Sequence, residues 1–404
     1  MVAFQNNSAN ISKHLKKALT KHKAGDFEKA RFFYEKILKE DPDHIDGNYL
    51  LGTLHAERGN YPVALKFLKR AAELAPRSSA ILNNLGNLYR IKGDFDLAIQ
   101  SYKQALVYDP NLVEAYVNMG LAAKRLGKHG EAATYYRQAL KLHPGQMIAQ
   151  YHLGQCLEAL GKPDEAKESY RRVLEIIPNH SSAQYHLDAL TGKNPETAPK
   201  EYVLELFDTH ADKFESYLVD TLGYKVPELL RESVIESLGE AASFDRAIDL
   251  GCGTGLSGQV FKDISKHITG CDLAPRMLEE SRKKSIYDEL LQGDISECLT
   301  QGNSTYDLFI AADLFIYVGA LERIFADIAA HASSNAILSF SVEHLGDDQD
   351  YQLLNSGRYA QSQAYINRLA EQNQFSVISR TSHPFRKEGE TWISGDIYVL
   401  KRTA

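Results

Sequence analysis

Residues Arg246-Ala-Ile-Asp-Leu-Gly-Cys-Gly-Thr-Gly-Leu-Ser-Gly258 read as a short buried strand that runs directly into a glycine-rich loop. Residues 247–250 are mostly apolar, as the interior of a parallel strand requires, and Asp249 carries the one charge among them. The glycines of the loop allow sharp turns and the close approach of a ligand. The helix expected to begin near Leu256 offers unpaired N–H groups to that ligand. This stretch therefore predicts an α/β domain with a ligand site after its first strand.

Two kinds of ligand are compatible with these glycines. Gly253-x-Gly255-x-x-Gly258 satisfies the dinucleotide-binding fingerprint, and Asp272 lies near the distance at which that fold places its ribose-binding acid. The spacing Asp-x-Gly-x-Gly-x-Gly, from Asp249 to Gly255, resembles the first motif of class I S-adenosylmethionine-dependent methyltransferases. Asp249 favours the second interpretation, because the dinucleotide strand normally reaches its glycines through apolar residues.

Two further acids stand at predicted strand ends. Ile268–Asp272 reads as the second strand, and the two oxygens of Asp272 suit the two hydroxyl donors of a ribose. Leu290–Asp294 reads as the third strand. A single Asp at a strand end is usually a helix cap, but Asp249, Asp272 and Asp294 at three successive strand ends favour a binding site. The resemblance implies S-adenosylmethionine as cofactor and S-adenosylhomocysteine as product. It implies the following cofactor-binding residues: Asp249, Gly251, Cys252, Gly253, Gly255, Asp272, Leu273, Met277, Asp294, Ile295 and Ala311.

Four more segments read as strands of the same sheet. They are residues 306–313, 335–342, 375–380 and 391–400, with residues 383–390 as the turn region between the last two. The resemblance implies a reversed last strand. We therefore expect a Rossmann-like, seven-stranded class I methyltransferase domain.

The candidate catalytic residues follow the fourth and fifth strands. His344 is the candidate general base, since a neutral imidazole near pH 7 accepts a proton from an attacking hydroxyl. Asp313 has the position at which amine methylases of this class often carry Asn or Asp, although capping of a helix near Leu321 is the simpler interpretation. Methyl transfer is an in-line displacement on an activated sulfonium, so positioning alone can suffice.

An internal repeat precedes this domain. Prolines at 42, 76, 110, 144 and 178 are each 34 residues apart, and glycine, alanine and aromatic positions recur with them. The pattern resembles the tetratricopeptide repeat, with two antiparallel helices per unit, from Ile11 to about Pro178. The first unit departs from it at His14, Lys17 and Ala18 and resembles a capping repeat. Residues 181–190 repeat only the start of a sixth unit and are expected to cover the far end.

Such solenoids bind partners on their concave face. The polar and aromatic candidates on the first helix of each unit are Asn83, Asn84, Asn87, Asn118, Lys124, Tyr151 and His152. They favour a bound peptide or chain terminus. The alternative is a spacer or a dimerisation arm, and the sequence leaves the oligomeric state open.

The predicted organisation is an α + α/β chain. Residues 1–192 form the solenoid of five repeats plus a capping helix, 193–200 a polar linker, and 201–404 the methyltransferase domain with N-terminal lid helices. The whole chain resembles bacterial proteins that join tetratricopeptide repeats to a predicted methyltransferase domain. Of that family's signature after Gly357, this chain keeps most residues but has Gln361 where His is expected. The resulting substrate-binding candidates are His210, Tyr217, Tyr224, Tyr317, Arg358, Tyr359 and Tyr365.

Charge and composition restrict the class of protein. Residues 1–200 hold 28 Lys and Arg against 21 Asp and Glu, a net of +7, and the remainder holds 18 against 32, a net of −14. An acidic catalytic half argues against nucleic acid as a partner. No run approaches a membrane span, and the N-terminal stretch lacks the features of a signal peptide, so we expect a cytoplasmic protein. The cysteines at 156, 252, 271 and 298 are scattered, which predicts reduced thiols and no metal site.

Two functions remain open on this basis. The first is methyl transfer to a hydroxyl, carboxyl or amine on a small molecule, or on a peptide or protein that the repeats recruit. The second is a repeat scaffold or adaptor whose methyltransferase-like domain binds the cofactor without turnover. Intact glycine and acidic motifs favour the first, and Gln361 favours the second.

Overall fold

The computed structural model describes residues 2–208, 211–301, 305–389 and 391–403 of the 404-residue chain. The chain divides into two compact units, Met1–Pro178 and Asn179–Ala404. In the described part of the chain, no helix combines the length and the apolar content needed to cross a membrane.

The first unit is built from helices that pack in consecutive pairs. They are α1 (Val2–Lys23), α2 (Phe27–Glu40), α3 (Ile45–Glu57), α4 (Tyr61–Leu74), α5 (Ser79–Ile91), α6 (Phe95–Tyr108), α7 (Val113–Arg125), α8 (His129–Leu142), α9 (Met147–Ala159) and α10 (Pro163–Ile176). The predicted repeat architecture is confirmed.

The repeated residues explain these helices. The turn glycines between paired helices have φ values from 68° to 82°, a left-handed conformation that a side chain disfavours. The recurring alanines of the second helices, such as Ala98 and Ala132, are fully buried. Helices α2 and α4 end at Glu40 and Leu74, shortly before Pro42 and Pro76, because proline disfavours the helical conformation in the residue before it.

The other recurring glycines face side chains of the partner helix: Gly86, Gly120 and Gly154 face tyrosine rings, and Gly52 faces Leu68. A Cβ on Gly86 would lie 2.6 Å from the ring of Tyr102, and one on Gly120 would lie 2.4 Å from the ring of Tyr136. Real Cβ atoms do not approach other atoms so closely. The small residue on one helix and the ring on the other therefore set how closely each pair packs.

The second unit is a sheet with helices on both faces. Its elements are α11 (Ser181–Thr191), α12 (Lys200–Asp208), α13 (Ala211–Ser216), α14 (Val226–Leu238), β1 (Phe244–Leu250), α15 (Leu256–Phe261), β2 (Ser265–Asp272), α16 (Pro275–Lys284), β3 (Glu289–Gln292), α17 (Ile295–Gln301), β4 (Tyr306–Ala311), α18 (Glu322–His331), β5 (Ala332–Leu345), β6 (Tyr351–Leu353), β7 (Tyr359–Ser362), α19 (Gln363–Gln372), β8 (Phe375–Glu388) and β9 (Thr391–Arg402). A π-helix covers Tyr217–Thr221, and 3-10 helices cover Lys262–Ile264 and Phe315–Tyr317.

The sheet contains the seven strands that the sequence predicts, including the reversed last strand. Strands β3, β2, β1, β4 and β5 are parallel neighbours in that order, β9 pairs antiparallel with β5, and β8 pairs antiparallel with β9. The carboxyl ends of the parallel strands meet at one edge of the sheet, which we call the carboxyl edge. Open α/β sheets bind ligands at this edge.

Two apolar clusters cover the two faces of the sheet. One contains Phe309, Leu338 and Phe340 with residues of α18 and α19, and the other contains Leu308 and Ile310 with residues of α14. Neighbouring strand residues belong to different clusters because their side chains point to opposite faces. This alternation decides which polar side chains at the carboxyl edge can meet.

The structure differs from the predicted sheet in two details. A short hairpin of β6 and β7 was not predicted; β7 pairs in parallel with the last residues of β5. The predicted turn over residues 383–390 is wrong, because β8 continues to Glu388. The longer strand brings Arg386 into the sheet, where it is buried.

Helix α11 and the segment that follows it pack within the second unit. Tyr185 of α11 lies 4.7 Å from Tyr202 between ring centroids, and its hydroxyl donates to the carbonyl of Gly357 (3.0 Å). The carbonyl of Glu196 accepts from the N–H groups of Gly319 and Ala320, at 2.9 Å each. The segment predicted as a polar linker, 193–200, is thus hydrogen-bonded within the second unit, which begins at Asn179.

The prediction for the cysteines is wrong at two positions. Cys271 and Cys298 are joined by a disulfide, whereas Cys156 and Cys252 are free and buried. Cys271 lies in β2 and Cys298 in α17, and the N–H of Gly293 donates to the carbonyl of Asp272 where these elements meet. Their separation along the chain does not reveal this proximity, because it arises only when β2 and β3 pair.

Candidate functional site

The glycine loop follows β1 at the carboxyl edge. Gly251, Gly253 and Gly255 have φ values of 71°, 52° and 95°, so all three adopt the conformation that favours glycine. A Cβ on Gly251 would lie 2.9 Å from Leu314, whereas one on Gly253 would meet no described atom within 4 Å. The loop therefore turns tightly on its inner side and leaves the backbone at Gly253 accessible to a ligand.

Asp249 is fully buried at the end of β1. Its Oδ2 accepts a hydrogen bond of 2.5 Å from the hydroxyl of Tyr287, and its Oδ1 has no partner among the described residues. Burial raises the pKa of Asp249 to about 7, against the lowering effects of the Tyr287 hydrogen bond and of the backbone N–H of Gly258. One carboxylate oxygen beside the loop is thus left for a donor that the protein does not supply.

Asp272, at the end of β2, fixes the loop in place. Its Oδ2 accepts from the N–H of Gly253 and its Oδ1 from the N–H of Ala274, both at 2.8 Å. The same carboxylate therefore orients the glycine loop and holds Ala274, the residue that precedes α16. Asp249 and Asp272 lie on adjacent parallel strands, so the structure brings these two predicted residues together.

Asp294 follows β3 and caps α17. Its Oδ1 accepts from the N–H of Glu297 (2.9 Å), its own N–H donates to Glu297 Oε2 (2.9 Å), and its Oδ2 pairs with Lys200 Nζ (2.9 Å). Burial alone would raise the pKa of Asp294, but the Glu297 N–H and the Lys200 ammonium outweigh it and lower that pKa. The third predicted acid is thus both a helix cap and half of an exposed ion pair.

The other predicted cofactor residues lie at this edge or in the core behind it. Met277 is buried and packs with Ala274 against Leu204, Phe207 and Phe214. Cys252 is buried, and its N–H donates to the carbonyl of Cys271 at 2.8 Å.

Leu273 is half-buried beside Asp272, and Ile295 packs against one of the two core clusters, to which the fully buried Ala311 belongs. These three residues are apolar and add no further polar group to the predicted site.

Helix α13 is attached to the glycine loop. Glu215 Oε2 accepts a hydrogen bond of 3.1 Å from the hydroxyl of Thr254 and pairs with Lys284 of α16. Phe207 and Phe214 lie 5.5 Å apart between ring centroids, next to Met277. The described part of the segment expected to form a lid thus packs against Met277, one of the residues predicted to contact the cofactor.

A buried ion-pair network occupies the carboxyl ends of β4 and β5. Arg386 binds Asp313 through Nη1 and Glu343 through Nη2, the latter at 2.6 Å. Arg358 donates to Glu343 Oε1 (2.8 Å) and to Glu388 Oε2 (3.0 Å). Both arginines are therefore already paired with carboxylates of the protein.

Asp313 is held in an unusual conformation. Its φ is 51°, its N–H donates to Ser341 Oγ (2.8 Å), and its Oδ1 accepts from that hydroxyl (3.2 Å). Helix α18 begins at Glu322 and is preceded by Leu321, so Asp313 does not cap it. The alternative that Asp313 is only a helix cap is thereby wrong.

Tyr224 and Tyr317 lie near this network. Burial raises the pKa of Tyr317 to about 12 and that of Tyr224 well above its ordinary value, with Asp313 and Arg386 among the charges that act on both. Both tyrosines therefore stay protonated at neutral pH and can donate to a ligand.

His344 belongs to a separate cluster. Its Nδ1 lies 3.1 Å from Oδ2 of the buried Asp396, which also binds Arg380 (2.9 Å) and Ser382 (2.5 Å). His344 follows Glu343 along β5, so the two side chains point to opposite faces of the sheet. The structure does not bring His344 together with Asp313.

The remaining substrate candidates have different surroundings. Tyr359 and Tyr365 are fully buried, and their hydroxyls donate to the carbonyl of Pro195 (2.8 Å) and to Glu322 (2.9 Å). Tyr217 is exposed, and His210 lies outside the described residues. Gln361 is buried and donates to the carbonyls of Phe315 and Val318, both at 2.9 Å, so it anchors the turn that carries Tyr317.

Sequence reasoning missed Tyr287 and Arg386. Each reaches a predicted residue from a distant segment: Tyr287 contacts Asp249, and Arg386 contacts Asp313. No local motif marks either residue. The sequence shows only that position 258 is a glycine. In the structure a Cβ there would lie 2.3 Å from the Tyr287 ring, so this glycine makes room for the ring.

Family models match both units of the chain. A model described as a methyltransferase domain matches residues 247–353. Models described as TPR repeat or tetratricopeptide repeat match residues 14–44, 44–106, 86–127 and 117–181.

Several curated proteins are similar to the second unit. The chain is 22% identical over 184 residues to malonyl-[acyl-carrier protein] O-methyltransferase of Serratia marcescens, covering 45% of this chain and 71% of that protein. It is 24% identical over 162 residues to the protein of that description from Pectobacterium atrosepticum, covering 39% and 62%. It is 33% identical over 64 residues to the 18S rRNA (guanine-N(7))-methyltransferase of Bos taurus, covering 16% and 23%.

Solved structures of repeat proteins are similar to the first unit. A crystal structure of MamA protein is 25% identical, with a TM-score of 0.40, and covers 44% of this chain and 96% of that one. YrrB, described as a TPR protein with an unusual peptide-binding site, is 21% identical with a TM-score of 0.41, covering 45% of this chain and 94% of that one. From the family models and the curated relatives we conclude that the chain joins tetratricopeptide repeats to a methyltransferase domain and is a methyltransferase.

Proposed function

We propose that this protein transfers a methyl group from S-adenosylmethionine to a hydroxyl, carboxyl or amine of a small molecule, or of a peptide or protein that the repeats recruit. The observation that carries this proposal is the buried Oδ1 of Asp249, which has no partner among the described residues, together with the accessible backbone of Gly253. A buried polar atom without a partner is unfavourable unless a ligand supplies one.

The charges at this loop favour S-adenosylmethionine over a dinucleotide. The ammonium of the methionine part offers three donors and a positive charge to Asp249. A dinucleotide would instead bring the negative charges of its pyrophosphate against Asp249 and Asp272, which lie on adjacent strands. The residues present therefore fit the methyl donor.

The ribose and adenine have candidate partners along the same edge. Asp272 is the candidate partner of the ribose, because the two oxygens of a carboxylate suit the two hydroxyl donors of a ribose. Met277, Phe207 and Phe214 offer an apolar surface for adenine. Asp294 would receive the adenine amino group in competition with Lys200.

When bound, S-adenosylmethionine supplies a methyl group already activated by its sulfonium. The protein then has to hold the acceptor in line with that group. We assign this task to the hydroxyls of Tyr224 and Tyr317 and to the carboxylate of Asp313, which Arg386 and Ser341 hold in place. In this proposal the reaction proceeds by positioning, and His344 is not needed as a base.

A peptide or protein partner is proposed for the repeats. Their polar side chains bond across successive repeats: Asn84 donates to the hydroxyl of Tyr49 (2.8 Å), and Asn118 donates to Asn87 (3.0 Å). The net charge of +7 over residues 1–200 favours an acidic partner.

The proposal is tested by calorimetric titration with S-adenosylmethionine and, separately, with NADH. We expect binding of the first alone and loss of that binding in Asp272→Ala, because both the ribose partner and the anchor of Gly253 are removed. Asp263→Ala is the control, since Asp263 pairs with Arg231 at the surface (2.7 Å).

Three results would change the conclusion. Unchanged affinity in Asp272→Ala contradicts the site, and binding of NADH alone supports the dinucleotide interpretation. Tight cofactor binding without consumption in the presence of cell extract supports the scaffold.

A further inference from the structure

The ring of Tyr287 lies between the glycine-loop helix α15 and strand β2. A Cβ on Gly258 of α15 would lie 2.3 Å from Tyr287 Cζ, and one on Gly270 of β2 would lie 3.0 Å from Tyr287 Cδ1. Asp288 anchors the same segment, because its N–H donates to the carbonyl of Ile268 (2.9 Å) and its Oδ2 accepts the N–H of Ile268 (2.8 Å). The position of the ring is therefore fixed from both sides.

The hydroxyl of Tyr287 joins two groups of the cofactor loop. It accepts a hydrogen bond from the N–H of Gly258 (3.1 Å) and donates to Asp249 Oδ2 (2.5 Å). The Gly258 N–H lies in the first turn of α15, where N–H groups have no partner inside the helix. A hydroxyl has one proton to donate, so the contact with Gly258 leaves that proton for Asp249.

This contact fixes the orientation of the Asp249 carboxylate. With Oδ2 bound to Tyr287, the carboxylate cannot rotate without losing a hydrogen bond, and Oδ1 stays unpaired among the described residues. We infer that Tyr287 is a positioning residue that holds Asp249 by Oδ2, so that Oδ1 is presented to the ammonium group of S-adenosylmethionine. The inference rests on the proposed function, and it adds a role for Tyr287 that the proposed function does not include.

The ionisation of Asp249 gives this inference a pH signature. Burial raises its pKa to about 7 and Asp272 raises it too, whereas the Tyr287 hydroxyl and the backbone N–H of Gly258 lower it. Burial also raises the pKa of Tyr287, Cys252 and Tyr224, so these neighbours are neutral in this range.

An ammonium requires the charged carboxylate. Cofactor affinity should therefore fall as the pH drops through the pKa of Asp249 and level off above it. Without the Tyr287 hydroxyl the charged form loses a donor, so the midpoint should move to higher pH.

Tyr287→Phe tests the inference because it keeps the ring against Gly258 and Gly270 and removes only the hydroxyl. Calorimetry from about pH 5.5 to about pH 8 would use two probes, S-adenosylhomocysteine and methylthioadenosine, and the second lacks the amino acid part. The Kd of S-adenosylhomocysteine should rise about tenfold near pH 7, as expected for a lost hydrogen bond to a charged group. The Kd of methylthioadenosine should not change.

Tyr306→Phe is the matched control. Tyr306 is a buried tyrosine at the start of β4, away from the carboxyl edge. Both probes should bind this variant as they bind the wild type.

Asp249→Asn provides a second variant that does not depend on how Tyr287→Phe folds. It keeps the shape of the side chain and removes the titrating group, so S-adenosylhomocysteine should bind more weakly with a flat pH profile. A profile unchanged from the wild type would overturn the inference.

Three outcomes separate this inference from the proposed function. If Tyr287→Phe binds S-adenosylhomocysteine as the wild type does, Tyr287 does not position Asp249, although the function stands. An equal loss for both probes means that the hydroxyl only supports the fold, which also overturns the inference. Absence of binding by the wild type at every pH overturns both.

Discussion

Gly120 and Gly130 lie in one helix pair and have different surroundings. Gly120 of α7 faces the fully buried ring of Tyr136, and a Cβ there would lie 2.4 Å from it. Gly130 lies exposed in the first turn of α8, where a Cβ would meet nothing within 4 Å. The same residue type is therefore required at one position and unnecessary at the other.

These two glycines give a prediction with an internal control. Gly120→Ala should lower the free energy of unfolding by about 1–3 kcal/mol, because a buried ring must move. Gly130→Ala should raise it by about 0.5–1 kcal/mol, because alanine favours the helix and meets no obstacle. Urea denaturation measures both, and equal effects would contradict this account of the helix contact.

At the scale of single residues, the sequence predicts the role of a residue when that role depends on its neighbours in the chain. Asp249 and the glycines after it form one continuous motif, and their positive φ values follow from it. The partners of Asp249 and Asp313 were not predictable, because Tyr287 and Arg386 reach them only after distant strands pair.

The disulfide joins two elements that carry predicted cofactor residues. Cys271 precedes Asp272 at the end of β2, and Cys298 lies in α17, which begins after Asp294. The bond therefore restrains the two elements that carry these acids.

A prediction follows for the cysteines. Alkylation of the denatured protein without reductant should modify only Cys156 and Cys252, as read by mass spectrometry of the peptides. Reduction should expose the other two thiols and lower the free energy of unfolding by about 2–4 kcal/mol, the usual effect of losing such a cross-link. Modification of all four cysteines without reductant would restore the original expectation of reduced thiols.

Regular elements were more predictable than short or irregular ones. The repeat helices follow a strict period, and the parallel strands are apolar runs that end in acids or glycines. The β6–β7 hairpin was not predicted because its strands are too short to show a pattern. The predicted end of β8 was too early because His383 and Pro384 suggest a turn. Pairing with β9, which continues beyond both residues, overrides that local signal.

At the scale of the whole molecule, the second unit begins before its first strand. Tyr185 of α11 packs against Tyr202 and Tyr359, and the carbonyl of Glu196 bonds to the backbone before α18. We therefore propose that an independently folding fragment has to include α11, in contrast to the boundary at residue 201 that the sequence predicts.

Two fragments test this proposal. Residues 179–404 should bind S-adenosylmethionine as the full chain does, whereas residues 201–404 should be less stable by about 3–5 kcal/mol, because the contacts of a buried aromatic are lost. Thermal unfolding and calorimetry compare them, and equal stability would support the sequence boundary. If the repeats deliver the acceptor, turnover by residues 179–404 should fall below that of the full chain even though cofactor binding is kept.

The contact between a glycine and the ring of the partner helix recurs in successive repeats, at Gly86, Gly120 and Gly154. Each repeat therefore carries the residues that close its own helix pair. Duplication or loss of one complete repeat in the gene would leave these contacts intact elsewhere, whereas an insertion of another length inside a helix would separate a glycine from its ring. The array is thus free to change in length during evolution, one repeat at a time, while the catalytic unit keeps its sequence.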